Sequence, residues 1–171
     1  MMVRRARPAD AASIGAVHVA AWRSAYAGVL PDEYLARMSA ARQAAYYDAD
    51  IRGGGGVFVA TSGSVVGFAT AGRARRPGIA EGEVHTLYVL DDYRDQGIGR
   101  ALLQAAASHL KSLGCRSAFL WVLSGNGAKW FYQRMGGRPG MQAFTSVGGV
   151  RVPQTAYVWD PIGAMLPAAL P

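Results

Sequence analysis

Glu83 to Ala106 reads EVHTLYVLDDYRDQGIGRALLQAA, and its character changes in the middle. The first half alternates apolar and polar side chains as a half-buried strand does. From the glycines onward, Ile98, Ala101, Leu102, Ala105, His109 and Leu113 fall at helical spacing, and Gly114 follows as a natural helix stop. The spacing therefore predicts a strand, a glycine-rich junction and a helix to about Leu113. The junction, Arg94-Asp95-Gln96-Gly97-Ile98-Gly99, is the start of that helix. A helix start presents unpaired backbone N–H groups and roughly half a positive charge. Glycines at 97 and 99 remove the side chains that would hold an anion off, and Arg94 and Arg100 add charge-assisted donors. A phosphate or pyrophosphate fits such a place, although a glycine turn that merely joins strand to helix uses the same residues.

Counting separates the nucleotide motifs. A dinucleotide fingerprint needs a third glycine three residues after Gly99, where this chain has Leu102, and an acid about twenty residues on, where it has Phe119-Leu120-Trp121. The G-x-x-x-x-G-K-[ST] phosphate loop is absent.

Working outward, residues 2–5 predict an edge strand stopped by Pro8, and Asp10 stands where a helix N-cap would, ahead of Ile14, Val17, His18, Ala21, Trp22 and Ala25. A second helix is expected from Pro31 or Asp32, interrupted near Ser39 and continuing to about Asp50. After the glycines at 53–56 the period changes to two, and VFVAT and VVGFATAGRA around Ser62-Gly63-Ser64 read as a hairpin. RSAFLWVL is an apolar strand, NGAKWFYQRMG a short helix, and MQAFTSV with VRVPQTAYVWD a closing pair joined at Gly148-Gly149. The order β, α, α, β, β, β, α, β, α, β, β predicts an α/β fold of the mixed, α+β-like kind.

The 171 residues suit one domain, 1–171, and no apolar run reaches the eighteen or so residues of a membrane span. Without a secretory signal pattern in MMVRRARPAD, a cytoplasmic protein is expected, with no membrane partner. The lone Cys115 excludes an internal disulfide, and His18, His85 and His109 lack metal-ligand spacing, so no metal is expected. The net charge of +7 favours anionic partners, yet the densest basic cluster, RARR at 73–76, reads as a solvated loop tip and no aromatic-basic interleaving suggests nucleic acid.

Arg94 to Gly99 also matches the acyl-CoA-binding pattern [QR]-x-x-G-x-[GA]. With LYVLDDY before it, RALL after it, and WVLSGNGAKWFYQRMGGR downstream, the chain resembles the GNAT superfamily of acyl-CoA-dependent N-acyltransferases over about residues 56 to 160. The resemblance implies a central, mostly antiparallel twisted sheet with helices on both faces. It implies that the backbone of Leu87, Tyr88 and Val89 pairs with the pantetheine arm of acetyl-CoA, the cosubstrate, and that Arg94, Asp95, Gln96, Gly97, Ile98, Gly99 and Arg100 cradle its pyrophosphate. Asn126 corresponds to an asparagine near that arm, while SGNG also reads as a plain turn and cap. Tyr132 would protonate the departing thiolate by direct transfer, without an acyl-enzyme on Cys115; packing in the core is the other reading for this phenol.

A base within reach of the amine is the second requirement. Simple alternation puts Glu83, His85, Leu87 and Val89 on one strand face, so Glu83 and His85 are the candidates, Glu83 first; surface polarity near a strand start would account for both as well. His18, Trp22 and Tyr26 repeat at four-residue steps, an aromatic stripe that is either core or, through Trp22 and Tyr26, an enclosure for the amine by cation–π contact. The stretch from Trp22 to Leu35 is loosely similar to a subgroup that includes polyamine acetyltransferases. The expected activity is transfer of an acetyl group to the primary amine of a small molecule, polyamine-like or other. Acetylation of a protein amine, or a CoA-binding or nucleic-acid-binding module without catalysis, are the alternatives; a homodimer is what the resemblance implies.

Overall fold

The computed structural model describes residues 1–166. Its strands are β1 (Met2–Arg5), β2 (Gly56–Ser62), β3 (Ser64–Arg73), β4 (Gly82–Val89), β5 (Ala118–Leu123), β6 (Arg138–Val147) and β7 (Val150–Trp159). Its helices are α1 (Ala11–Ala25), α2 (Asp32–Ala36), α3 (Ala40–Arg52), α4 (Ile98–Ser112) and α5 (Lys129–Arg134). The seven strands form one sheet in the order β1-β2-β3-β4-β5-β7-β6. Every neighbouring pair is antiparallel except β4 and β5.

The sequence period dictates two layers of helix around that sheet. On one face α4 buries Leu102, Leu103, Ala106 and Leu110 against Val84, Ala118, Leu120 and Ala69. On the other, Ile14 and Val17 of α1 and Tyr47 of α3 pack on Val57, Val59 and Phe68. The expected interruption near Ser39 is real. Ser39 is the N-cap of α3, its hydroxyl accepting from the Arg42 amide at 3.2 Å, so α2 and α3 are separate helices.

Asp10 departs from its expected part as a helix cap. Its carboxylate accepts both Arg4 guanidinium nitrogens, at 2.8 and 2.9 Å, and the Arg7 amide at 2.7 Å, and α1 starts with no side-chain cap. The charge-assisted fork outcompetes a single helix amide. Cys115, 3% exposed, is the buried small residue that a position after Gly114 suggests.

Two irregularities shape the centre. The β4 and β5 strands are in register only at Gly82–Ala118 and Glu83–Phe119, and beyond Glu83 they diverge. In the β3–β4 ladder Thr70 faces Thr86 while Ala71 faces Val84, so His85 is the extra residue of a β-bulge.

Candidate active site

The divergence of β4 from β5 opens a cleft. Leu87 and Tyr88 line one wall, Leu120, Trp121 and Val122 the other, and Asn126, Tyr132 and Tyr26 close one end, with His85 and Thr86 at the bulge. The β3 strand occupies one edge of Leu87–Val89 through Ala69, Phe68 and Gly67, whereas the edge toward β5 has no strand partner among the described residues. An extended chain can add there by main-chain hydrogen bonds.

The bulge corrects the simple alternation. Val84, Leu87 and Val89 pack toward α4, while Tyr88 packs with the α1 and α3 cluster. Glu83 and His85 still share a face, but Leu87 and Val89 lie on the other one, because the extra residue shifts the pleat by one.

Further along the chain from the open edge of β4, the N-cap of α4 is Gly97, whose φ of +78° lies in the left-handed region, and no side chain caps the helix. The first-turn amides thus remain available to an anion. Nothing lies within 4 Å of where a Gly97 Cβ would stand, so the backbone conformation, rather than space, demands glycine there. At Gly99 the reason differs: a Cβ would come to 3.3 Å from the Phe131 ring of α5. Asp95 also has a positive φ, +59°, which a short polar residue tolerates. Arg94 pairs with Asp91 at 2.8 Å, Asp91 in turn accepts from the Ser24 hydroxyl, and Gln96 Nε2 donates to the Asp92 carbonyl at 3.4 Å. Arg100 is exposed. Replacing Gly97 by Ala should cost about 1 kcal/mol of stability by the left-handed penalty and weaken CoA binding several-fold by moving the first-turn amides; denaturant melts and titration calorimetry with CoA check both.

Asn126 meets both of its readings. Its Oδ1 accepts from the Ala128 amide at 2.9 Å, a plain turn, and its Nδ2 donates to the Tyr26 hydroxyl at 3.0 Å. Tyr26 is 3% exposed, and burial pushes its phenol and that of Tyr88 above their ordinary value. Trp22 stands behind Tyr26, at 4.8 Å between ring centres, with one face stacked on His18 at 5.4 Å. Enclosing an amine there would first require that stack to open.

Tyr132 is 6% exposed and sits 6.3 Å from Tyr157 and 6.2 Å from Trp159, ring centre to ring centre. Burial, and then the nearby Tyr26, push its phenol far up, so it stays protonated and can donate.

Glu83 is 3% exposed. Its Oε1 accepts from the Arg75 amide at 3.2 Å and its Oε2 from Arg75 Nη2 at 2.9 Å. His85 Nδ1 lies 3.5 Å from the same Oε2, an electrostatic contact rather than a formed hydrogen bond. Burial works to raise the carboxyl, but His85 and Arg75 outweigh it and hold it down at about 2. So firm an anion, with its acceptor sites engaged, is a weak proton acceptor. His85, a fifth exposed, has its Nε2 above Gly72, 3.3 Å from where a Cβ there would sit.

Two residues at this place were not among the sequence candidates. Arg75 lies in the RARR cluster, eight positions before Glu83, and no periodicity ties a loop residue to a strand partner. Trp121 could have been found: Ala118, Leu120 and Val122 face α4, which leaves Phe119 and Trp121 on the face of Glu83, edge-to-face at 6.1 Å.

With this geometry in hand, known proteins agree on its kind. The pattern of the Acetyltransferase (GNAT) family matches residues 19–137. The uncharacterised N-acetyltransferase YuaI of Bacillus subtilis is 34% identical over 167 residues, 95% of each chain. An L-methionine sulfoximine/L-methionine sulfone acetyltransferase of Pseudomonas paraeruginosa is 35% identical over 100 residues, covering 56% of this chain and 58% of that one. Among solved structures, YncA of Salmonella typhimurium, determined with acetyl-CoA, superposes with a TM-score of 0.70 at 20% identity, over 100% of this chain and 97% of that one. The chain belongs to the GNAT acetyltransferase family. Its activity is that of an acyl-CoA-dependent N-acetyltransferase. Among the described residues no helix is long and apolar enough to cross a membrane, and no group of three or more His, Cys, Asp or Glu side chains could hold a metal ion.

Proposed function

We propose that the chain acetylates the primary amine of a small molecule by direct attack, with His85 as base, Glu83 as its positioning residue and Tyr132 as acid. The observation that carries this reading is the single cleft lined by the open edge of β4, by His85 and by Tyr132. The relative that acts on L-methionine sulfoximine and sulfone supports a small acceptor.

Acetyl-CoA fits the cleft by its chemistry: an extended amide-bearing arm for the free edge of Leu87–Val89, and a pyrophosphate for the uncapped start of α4, residues 94–100. When bound it supplies an acetyl group on a thiolate leaving group. The chain's residues then divide two proton transfers. His85 takes a proton from the attacking nitrogen as the C–N bond forms, with Glu83 balancing the charge it gains. Tyr132 gives its proton to the sulfur as the C–S bond breaks. A catalyst placed for either transfer contributes about 10² to 10⁴-fold.

The test incubates the protein with acetyl-CoA and a panel of amines and titrates released thiol. Turnover on small amines is expected; tight CoA binding with no turnover on any amine would leave a CoA-binding module instead. His85→Gln should lower kcat/KM about 100-fold near neutral pH. The deficit should shrink as pH approaches the pKa of the amine itself, because the acceptor then arrives deprotonated. A deficit constant with pH would remove His85 as base.

A further inference from the structure

Resting on that acetyltransferase reading, we propose that the acceptor carries its own carboxylate near the reacting amine, and that Arg75 reads it. The acceptor class is an amino acid rather than a polyamine.

The case begins with charge. A polycation needs open carboxylates, and the one beside His85 is not open. Glu83 is buried and engaged by the Arg75 amide and Nη2. Arg76 follows in the same loop, whereas Arg73 ends β3 with its guanidinium donating to the Leu113 carbonyl. The nearby acid Glu81 is itself paired with Arg116 at 3.0 Å.

Arg75 has capacity left after holding Glu83. A guanidinium offers five N–H donors in a rigid fork and pairs with carboxylates bidentately. Among the described residues the contact with Glu83 is the one that its side chain makes, through Nη2, and the side chain remains 63% exposed. The backbone bond from Arg75 to Glu83 and the bond from the Ala74 amide to the Glu81 carbonyl, 2.9 Å, fix the loop that carries this fork. A carboxylate on the outer edge of the fork would set an amine a few bonds away beside His85, which contacts the same Glu83 oxygen. Phe119 and Trp121, on the face of Glu83, offer apolar surface to the rest of the acceptor.

The experiment compares matched acceptors: each proteinogenic L-amino acid, its C-terminal amide, and spermidine, with acetyl-CoA turnover read as thiol release. For the best amino acid, kcat/KM should exceed that of its amide about 100-fold, since losing the anion removes a charge-assisted pair. Arg75→Gln should collapse that ratio toward one, and Arg75→Lys should restore part of it. The ratio is the readout because either variant also alters the side-chain contact with Glu83 and slows all acceptors alike. Equal use of acid and amide, preference for spermidine, or an unchanged ratio in Arg75→Gln would overturn the inference and leave the acetyltransferase reading standing. Absence of turnover on every amine would overturn that reading. Calorimetry of the CoA-loaded protein with the same amino acids and amides then decides the inference alone: selective binding of the acids, lost in Arg75→Gln, sustains it, and equal or absent binding overturns it.

Discussion

Tyr132→Phe is expected to lower turnover about 100-fold while leaving CoA affinity nearly unchanged, the low end of what a positioned acid contributes. The phenol belongs to the cleft lining, with His85 and Asn126. Its ring is wedged by Tyr157 and Trp159, contacts that a phenylalanine ring keeps, so the fold should tolerate the change. Burial and the neighbouring Tyr26 hold the proton on the oxygen across the working pH range, so the donor does not titrate away on the alkaline side. Tyr132 lines the cleft with His85 and Thr86, a lining that includes none of residues 94–100, which is why binding and chemistry should separate. Single-turnover thiol release with calorimetry on CoA distinguishes the two effects. Unchanged turnover would remove Tyr132 from the mechanism, and a parallel loss of CoA affinity would make it a packing residue of the cleft wall.

What the sequence could disclose follows from how local each feature is. The start of α4 was legible because its signals are local: glycines, helical period and the following Gly114 all lie within one element. The bulge at His85 was not. It arises where β3 and β4 carry unequal numbers of residues between Thr70–Thr86 and Ala71–Val84, a property of two strands paired at a distance. Alternation along one strand therefore placed Glu83 and His85 together correctly and Leu87 and Val89 wrongly. The same limit applies to Glu83. A carboxylate near a strand start looks available from sequence, and only the loop that returns Arg75 over it turns it into a buried, ion-paired anion. The stripe His18, Trp22 and Tyr26 was legible as one helical face, but its surroundings were not. The sheet supplies Phe68 and Tyr88 beneath it, so most of the stripe is packing and only Tyr26 reaches the cleft.

Acid should destabilise the fold in a window that His18 sets. Its ring is 7% exposed, stacked on Trp22, with Nδ1 at 2.8 Å from the Tyr47 hydroxyl, and Phe68 and Tyr88 cover its remaining sides. None of these neighbours carries a negative charge, and burial pushes the imidazole down to about 4. The unfolded chain takes up this proton near its ordinary value of about 6.5, the folded chain only near 4, so between them the unfolded state binds more protons. Stability is therefore complete above about 6.5 and falls as pH drops toward 4, by about 3 kcal/mol at 1.36 kcal/mol per unit. Glu83, held at about 2, extends the loss below its own ordinary value. Denaturant melts at successive pH values measure the slope. His18→Phe should remove most of it between 6.5 and 4 while lowering stability at every pH by about 1 to 3 kcal/mol, because the Tyr47 hydroxyl loses its partner. His109, also lowered by burial and by Arg5, accounts for the smaller remainder, which His109→Gln should take away. The consequence reaches the cleft, since His18 packs edge-on against Tyr88 at 5.6 Å between ring centres, and Tyr88 lines the cleft wall. Charging His18 loads that contact, so acid should reduce turnover together with stability, and His18→Phe should retain a larger fraction of its neutral-pH turnover at pH 5 than the natural chain does. A pH-stability slope unchanged by His18→Phe would place the acid sensitivity elsewhere.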